Sequence, residues 1–194
     1  AFTVDIDWLY PLRVLTGAAA LWAFRRHYTG LGWDFSWTAV GIGAGVFFLW
    51  IALEPGPPQE ASPDLLALGK EWAGPVGIAT WLLFRIVGAV VIVPLAEELA
   101  FRGYLTRRLQ AGDFQEIPLG RFSWFSFLAS SVLFGALHIS ALHSHFLAGT
   151  LAGLAYALAL YRRGRMGDPV VAHATTNALI AVYVLATGQW FLWS

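Results

Sequence analysis

Six apolar stretches, separated by short segments rich in Pro, Gly and charged residues, constrain what this chain can fold into. They lie at residues 8–24, 37–53, 72–95, 122–140, 146–161 and 169–191. A helix needs about 20 mostly apolar residues to span a bilayer. No alternation of polar and apolar residues persists, so strands are not predicted. The pattern predicts an all-α, polytopic transmembrane helical bundle with about six spans.

The composition favours a membrane protein. Hydrophobic residues make up 58% of the 194 residues and charged residues only 12%, whereas a soluble domain carries about 25% charged residues. The formal net charge is zero and no basic block exists, so we expect a lipid bilayer and no nucleic acid as partner. The absence of cysteine excludes disulfides, thiolate metal ligands and a cysteine nucleophile.

The charges between the stretches alternate in sign along the chain. Arginines follow the first, third and fifth stretches, whereas acidic residues occupy the N-terminus and the loop after the second. The arginines are Arg25, Arg26, Arg107, Arg108, Arg121, Arg162, Arg163 and Arg165; the acids are Asp5, Asp7, Glu54, Glu60 and Asp64. Basic loops stay in the cytoplasm, so this pattern predicts cytoplasmic basic loops and both termini outside.

Two adjacent carboxylates, Glu97 and Glu98, lie at the end of the third apolar stretch, which we expect to continue as one helix to Leu109 with Pro94 as a kink. A charge at the centre of a spanning helix costs about 2.5–3.5 kcal/mol on insertion scales. Glu98 and Arg102 are four residues apart, so they share a helix face and can pair. Glu97 lies about 100° around the helix from Glu98 and need not point at Arg102. It is therefore free to face a cavity and act as a general base.

Two further spans carry polar residues at helical spacing. His138 follows Phe134 by one turn, and Asn177 follows His173 by one turn. A His/Asn pair presents hydrogen-bond donors in one direction, as the stabilisation of an oxyanion requires. With a glutamate base and a histidine that shares its water, these residues could hydrolyse a substrate without a metal or other cofactor.

Each motif also has a structural interpretation. The Glu98–Arg102 pair alone is typical of a neutralised ion pair inside a bundle. Single His and Asn residues often join helices by hydrogen bonds, and Gly149/Gly153, like Gly41, Gly43 and Gly45, indicates close helix packing. Only the occurrence of all three motifs in one chain favours a catalytic role over a structural one.

Two other functions compete with metal-free hydrolysis. His143 and His145 follow His138 closely, so a zinc-dependent protease that uses them with Glu97 and His173 is one alternative, although no HExxH motif is present. A non-catalytic membrane scaffold or bacteriocin-immunity protein is the other.

In chain order, EELAFR matches EExxxR, FGALH matches FxxxH and HATTN matches HxxxN. The region from about 81 to 186 therefore resembles the CAAX prenyl proteases and bacteriocin-processing proteases, a family of glutamate-dependent intramembrane endopeptidases. The well-known prenyl proteases have about eight spans, two more than the six counted here.

The resemblance implies roles and a location. Glu97 would activate water, His138 would hold it, and His173 with Asn177 would stabilise the oxyanion, supported by Glu98, Arg102 and Phe134. The substrate would be a membrane-associated peptide, cleaved near a C-terminus whose lipidation the motifs leave open. We expect a single membrane domain in a bacterial inner membrane, with a two-span region at 1–70, a catalytic bundle at 71–194 and a site that opens toward the cytoplasm.

Overall fold

A computed structural model describes residues 7, 9–53, 65–139 and 145–193, without the side chains of 65–68, 70 and 72. Every regular element in these ranges is helical, as predicted, and they contain no β-strand. The described ranges contain six helices. They are α1 (Tyr10–Ala23), α2 (Trp37–Leu53), α3 (65–108), α4 (Trp124–Ala136), α5 (Phe146–Arg163) and α6 (Gly167–Thr187). Short 3₁₀ turns lie at Arg25–His27, Phe114–Glu116 and Trp190–Trp193.

Helix α3 is long and irregular. Its first part, Leu65–Val87, is broken at Gly74, which adopts a left-handed φ of 70° and is followed by Pro75. The helix then widens to π geometry over Gly88–Ile92, returns to α geometry over Val93–Glu98, and widens again over Leu99–Leu105. Pro94 comes directly after the first π segment and Val93. A proline cannot donate the hydrogen bond that a regular helix needs, so the helix is irregular just before it. The Glu pair thus lies between two π segments, a feature frequent at functional sites.

Two helices are long and apolar enough to cross a bilayer, Ala73–Arg108 and Gly167–Thr187. The prediction that the third stretch continues past the glutamates is confirmed, since α3 ends at Arg108. The prediction of six spans is supported only in part. Helix α4, with 13 residues, is about 20 Å long, because the chain leaves the helix at Leu137, whereas a bilayer core is about 30 Å thick.

Glycines allow two pairs of helices to approach closely. A Cβ on Gly43 of α2 would lie 2.7 Å from Thr175 Cβ of α6 and would also clash with the Ala172 carbonyl. Helix α4 packs on α5 at Gly153, where an added Cβ would lie 3.0 Å from Ser131 Cα. A Cβ on Gly41 or Gly45, by contrast, would meet no atom of the described residues within 4 Å, so these two glycines do not join α2 to another of the described helices, as the packing interpretation had it.

One end of the bundle gathers the basic loops. Asp34, in the loop before α2, lies 2.6 Å from Arg163 and also pairs with Arg165. The buried carboxylate of Asp168 accepts a hydrogen bond of 2.6 Å from the Ser36 amide and lies 3.3 Å from Arg163. These contacts join the start of α2, the end of α5 and the start of α6. Backbone hydrogen bonds from Met166 and Gly167 to Leu31 and Gly32, and the approach of Gly120 to Gly164, bring the loops after α1, α3 and α5 to this same end.

Candidate active site

A cavity of about 190 Å³ lies between α3, α4, α5 and α6 and is lined by the four residues that the motifs single out. Glu97, His138, His173 and Asn177 all line it, together with Phe134. A buried water needs about 10–15 Å³ of such volume, so the cavity has room for several waters. The structure thus brings the motifs of three separate helices to one cavity.

The second glutamate of the pair belongs to a buried ionic network. Glu98 and Arg102 are both fully buried, and Glu98 Oε2 lies 3.1 Å from Arg102 Nε, so the predicted ion pair is present. Arg102 also donates to the Gly153 carbonyl of α5 at 2.7 Å, and its guanidinium carbon lies 4.6 Å from the centre of the Phe134 ring. The charge of Arg102 is therefore satisfied by a carboxylate, a carbonyl and an aromatic face.

Glu98 also holds a histidine, which the sequence did not indicate. Its Oε1 accepts a hydrogen bond of 3.0 Å from His173 Nδ1. A carboxylate only accepts, so the proton must lie on Nδ1, and Nε2 is the nitrogen left for other partners. The ring of His173 is stacked on Tyr156, with centroids 4.8 Å apart and an interplanar angle of 14°. The position and tautomer of His173 are thus fixed by two buried residues.

Glu97 differs from its neighbour in forming no ion pair among the described residues, whereas Glu98 pairs with Arg102 and His173. Its Oε2 is buried and has no hydrogen-bond partner among the residues that the structure describes, and its side chain lines the cavity. An unpaired carboxylate oxygen in a buried position calls for a partner that is not part of the chain. The different environments of Glu97 and Glu98 agree with the division that helix geometry predicts.

His138 is anchored by its own helix. Its Nδ1 lies 2.8 Å from the Phe134 carbonyl oxygen, which only accepts, so Nδ1 carries the proton and Nε2 of the neutral ring is an acceptor. Counting residues places His138 farther from the basic end than Glu97 or His173. The ring of His138 points back to the Phe134 carbonyl, one turn earlier in the chain, and this direction brings it closer to Glu97 and His173.

Asn177 contacts the first π segment. Its Nδ2 donates a hydrogen bond of 2.7 Å to the carbonyl oxygen of Ala89. A side-chain amide has two N–H donors, so one remains for a partner in the cavity. This contact joins α6 to α3 at the point where α3 is irregular.

Several residues of the site carried no signal in the sequence. Tyr156 and Trp50 line the cavity, and Trp50 lies edge-on to His138 with centroids 5.5 Å apart. Aromatic residues are common in apolar helices, so a single Tyr or Trp does not stand out there. The hydrogen bond between Gly153 and Arg102 joins positions 51 apart in the chain, and no local pattern indicates it.

The cavity extends from Glu97 away from the basic end. On α3 it is lined by Arg85, Ala89, Val93 and Glu97, and its far end by Tyr10 and Trp193. The residues of the basic loops do not line it. If the basic loops lie in the cytoplasm, this cavity leads toward the opposite face of the membrane.

No group of three or more acidic or histidine side chains in the described ranges could hold a metal ion. His145 is buried beside Trp50, with ring centroids 5.7 Å apart, and His143 lies outside the described residues. The zinc alternative therefore gains no support from this part of the chain.

The profile of the family described as "type II CAAX prenyl endopeptidase Rce1-like" matches residues 79–179. These residues include all three motifs and slightly more than half of the chain, so the protein belongs to this family of membrane-embedded proteases. No curated protein and no solved structure matches the chain. Membership supports an endopeptidase of the CAAX type that acts on a membrane-associated peptide.

Proposed function

We propose that the protein is an intramembrane endopeptidase in which Glu97 activates the attacking water. The observation that carries this proposal is the buried Oε2 of Glu97, which faces a cavity shared with His138, His173 and Asn177 and has no hydrogen-bond partner among the described residues. A water in the cavity would satisfy this oxygen. The same water would lie where a general base must hold it, within hydrogen-bond reach of the carboxylate.

The reaction needs only water and residues of the chain. Glu97 takes a proton from water as the water oxygen bonds to the carbonyl carbon of the scissile peptide, and the carbonyl oxygen becomes an oxyanion. The C–N bond then breaks, and the proton held by Glu97 passes to the departing amine. The products are a carboxylic acid and an amine, with no change in oxidation state.

The two histidines suit different tasks because their partners differ. His138 Nδ1 donates to a neutral carbonyl, so Nε2 of a neutral His138 accepts a hydrogen bond from the water and orients it. His173 Nδ1 donates to the carboxylate of Glu98, so Nε2 donates only when the ring is an imidazolium. We assign the oxyanion to this imidazolium and to the second N–H of Asn177. Glu98 then acts through His173 as a positioning residue.

We also propose the substrate and the location of the enzyme. The substrate is a membrane-associated peptide cleaved near a CAAX-like or lipidated C-terminus, and the enzyme lies in a bacterial inner membrane. The basic loops favour a cytoplasmic basic end. With that orientation the cavity leads away from the cytoplasm. The cavity therefore does not support the prediction of a site that opens toward the cytoplasm.

Proteolysis by purified protein tests the chemistry. We expect wild type to cleave a prenylated CAAX peptide with EDTA present, and Glu97→Ala to lose cleavage. Activity that EDTA removes and zinc restores would favour the metalloprotease instead. A Glu97→Ala protein that keeps cleavage would rule out the proposed base.

A further inference from the structure

Helix α5 carries none of the three motifs, yet one of its faces lies against residues of all three. Gly149, Gly153 and Tyr156 follow one another at intervals of four and three residues, so they share this face, and all three are buried. Gly149 lies against the histidine of FxxxH, Gly153 accepts a hydrogen bond from the arginine of EExxxR, and Tyr156 stacks on the histidine of HxxxN. This face of α5 is therefore a candidate for positioning the groups of the site.

Gly149 leaves room for the ring of His138. A Cβ added at this glycine would lie 3.1 Å from His138 Nδ1 and 3.2 Å from its Cγ, whereas heavy atoms pack best at about 3.5–4.0 Å. The ring cannot yield freely, because its Nδ1 donates to the Phe134 carbonyl at 2.8 Å. A side chain on Gly149 would therefore push His138 out of the direction in which the structure holds it.

Gly153 supports the ionic network from the same face of α5. Its carbonyl oxygen accepts a hydrogen bond of 2.7 Å from Arg102, and a carbonyl has two lone pairs, so the helix need not give up its own bond. An added Cβ would lie 3.0 Å from Ser131 Cα and 3.3 Å from Phe134 Cβ. The close approach of α4 and α5 at this glycine thus keeps the Phe134 ring beside Arg102, 4.6 Å from the guanidinium carbon.

Tyr156 fixes the plane of the His173 ring. The hydrogen bond from Nδ1 to Glu98 holds one atom of the imidazole but leaves the tilt of the ring undetermined. The nearly parallel ring of Tyr156, with centroids 4.8 Å apart and an interplanar angle of 14°, sets this tilt. Phe134 packs edge-on against both rings, with centroids 5.7 Å from His173 and 6.1 Å from Tyr156. These contacts together determine where Nε2 points, and an aromatic face also stabilises a charged imidazolium.

We infer that α5 is a fourth element of the catalytic site, in which Gly149 is a positioning residue for His138 and Tyr156 is one for His173. This inference rests on the proposed function, because that function makes these histidines the groups that orient the water and stabilise the oxyanion. Gly149 acts through the absence of a side chain, and Tyr156 acts through the face of its ring rather than its hydroxyl. The pair Gly149/Gly153, which the sequence presents as helix packing, therefore also shapes the site.

NMR signals of the histidine rings test the positions without requiring cleavage. The sample is the full chain in detergent with labelled histidine, and the signals of His138 and His173 are identified by their loss in His138→Gln and His173→Gln. Tyr156→Leu and Tyr156→Met each remove the aromatic face, so the ring-current shift of the His173 protons should disappear. Tyr156→Phe keeps the face and should keep the shift. Gly149→Ala should move the ring signals of His138.

Two matched substitutions control for a general loss of packing. Tyr161→Leu removes an aromatic ring from the same helix, where it contacts Phe122 with centroids 5.1 Å apart. Gly17→Ala places a Cβ 3.0 Å from Ile92 Cγ2. None of these residues lines the cavity, so both controls should leave the signals of the two histidines in place. Histidine signals that move as much in the controls as in the variants of Gly149 and Tyr156, or that move in neither, would overturn the inference.

Cleavage of an S-farnesylated CAAX peptide tests the consequence for catalysis. We expect kcat to fall about ten- to a hundredfold in Tyr156→Leu and by at least about tenfold in Gly149→Ala. Tyr156→Phe and both controls should stay near the wild-type value. Histidine signals that move without any change in kcat would overturn the inference, and so would an equal loss of kcat in Tyr156→Phe. If the wild type does not cleave but the signals respond as expected, the proposed function fails, while the positioning of the two histidines by α5 stands.

Discussion

The hydrogen bond of 3.0 Å between His173 Nδ1 and Glu98 Oε1 gives the two adjacent glutamates different tasks. Glu98 is fully buried between His173 and Arg102, whereas Glu97 faces the cavity. The pair therefore combines a structural carboxylate with one that is available to water. This division determines how each residue of the site should respond to substitution.

The network of Glu98 should show separate effects on stability and on activity. Glu98→Gln leaves the buried charge of Arg102 without its counterion, which we expect to cost about 3–5 kcal/mol in the free energy of unfolding. Adding Arg102→Met should recover most of that loss, because no unpaired charge remains. Cleavage should stay low in both variants, since His173 no longer has a carboxylate to accept the hydrogen bond from its Nδ1. Denaturant unfolding in detergent and a cleavage assay measure both quantities; recovery of activity along with stability would contradict a positioning role for Glu98.

Asn177 should affect the rate more than the stability. Asn177→Ala removes the donor assigned to the oxyanion, and the expected loss in kcat is about 10²–10³. The control is Thr175→Val on the same helix, which removes a hydrogen bond of 2.7 Å to the Val171 carbonyl outside the cavity. This control should keep kcat near the wild-type value. A similar loss of kcat in both variants would indicate that Asn177 acts only by joining helices.

The glycines of α2 provide a test of the packing. Gly43→Ala places a Cβ against Ala172 and Thr175 of α6, and we expect it to lower the free energy of unfolding by about 1–3 kcal/mol. Gly45→Ala, at a nearby position on the same helix, meets open space and should be neutral or stabilising by up to about 1 kcal/mol. Thermal unfolding of the two variants measures the difference. Equal effects would contradict the close approach of α2 and α6.

Asp34 should make stability depend on pH. Burial pushes its pKa up, but hydrogen bonds from Arg165 and Arg163 outweigh this effect and hold the pKa below its usual 3.8. A lowered pKa in the folded state stabilises the protein above pH 3.8, and this contribution is lost as the pH falls through the folded pKa. Asp34→Asn should therefore lower Tm at pH 7, and the gap to wild type should close in strong acid.

The control for Asp34 is Glu116→Gln, an exposed acid near the same end with no ion pair among the described residues. This substitution should leave Tm unchanged over the whole pH range. A gap for Asp34→Asn that persists well below pH 3.8 would show that the side chain stabilises the loop by something other than its charge.

Local spacing was sufficient to predict part of the site. Glu98 and Arg102, like His173 and Asn177, are four residues apart, and helix geometry alone places each pair on one face. The continuation of α3 through the glutamates also followed from its apolar character. The stretch 122–140 predicted a longer fourth helix than Trp124–Ala136, because apolar residues continue after the helix has ended.

The remaining contacts depend on tertiary packing. His173 and Glu98 are 75 residues apart in the chain, and no periodicity relates them. No local pattern in the sequence indicates the two π segments of α3, Gly88–Ile92 and Leu99–Leu105. Gly41, Gly43 and Gly45 look alike in sequence, and only the position of α6 distinguishes the one that must be glycine.

The central claim is that Glu97, and not Glu98, is the base, and an isosteric substitution tests it most directly. Glu97→Gln keeps the shape of the side chain but removes its ability to accept a proton. We predict that purified Glu97→Gln keeps the Tm of wild type and still binds the farnesylated peptide, while single-turnover cleavage falls by at least about 10²-fold. Cleavage at the wild-type rate by a folded Glu97→Gln protein would contradict the account.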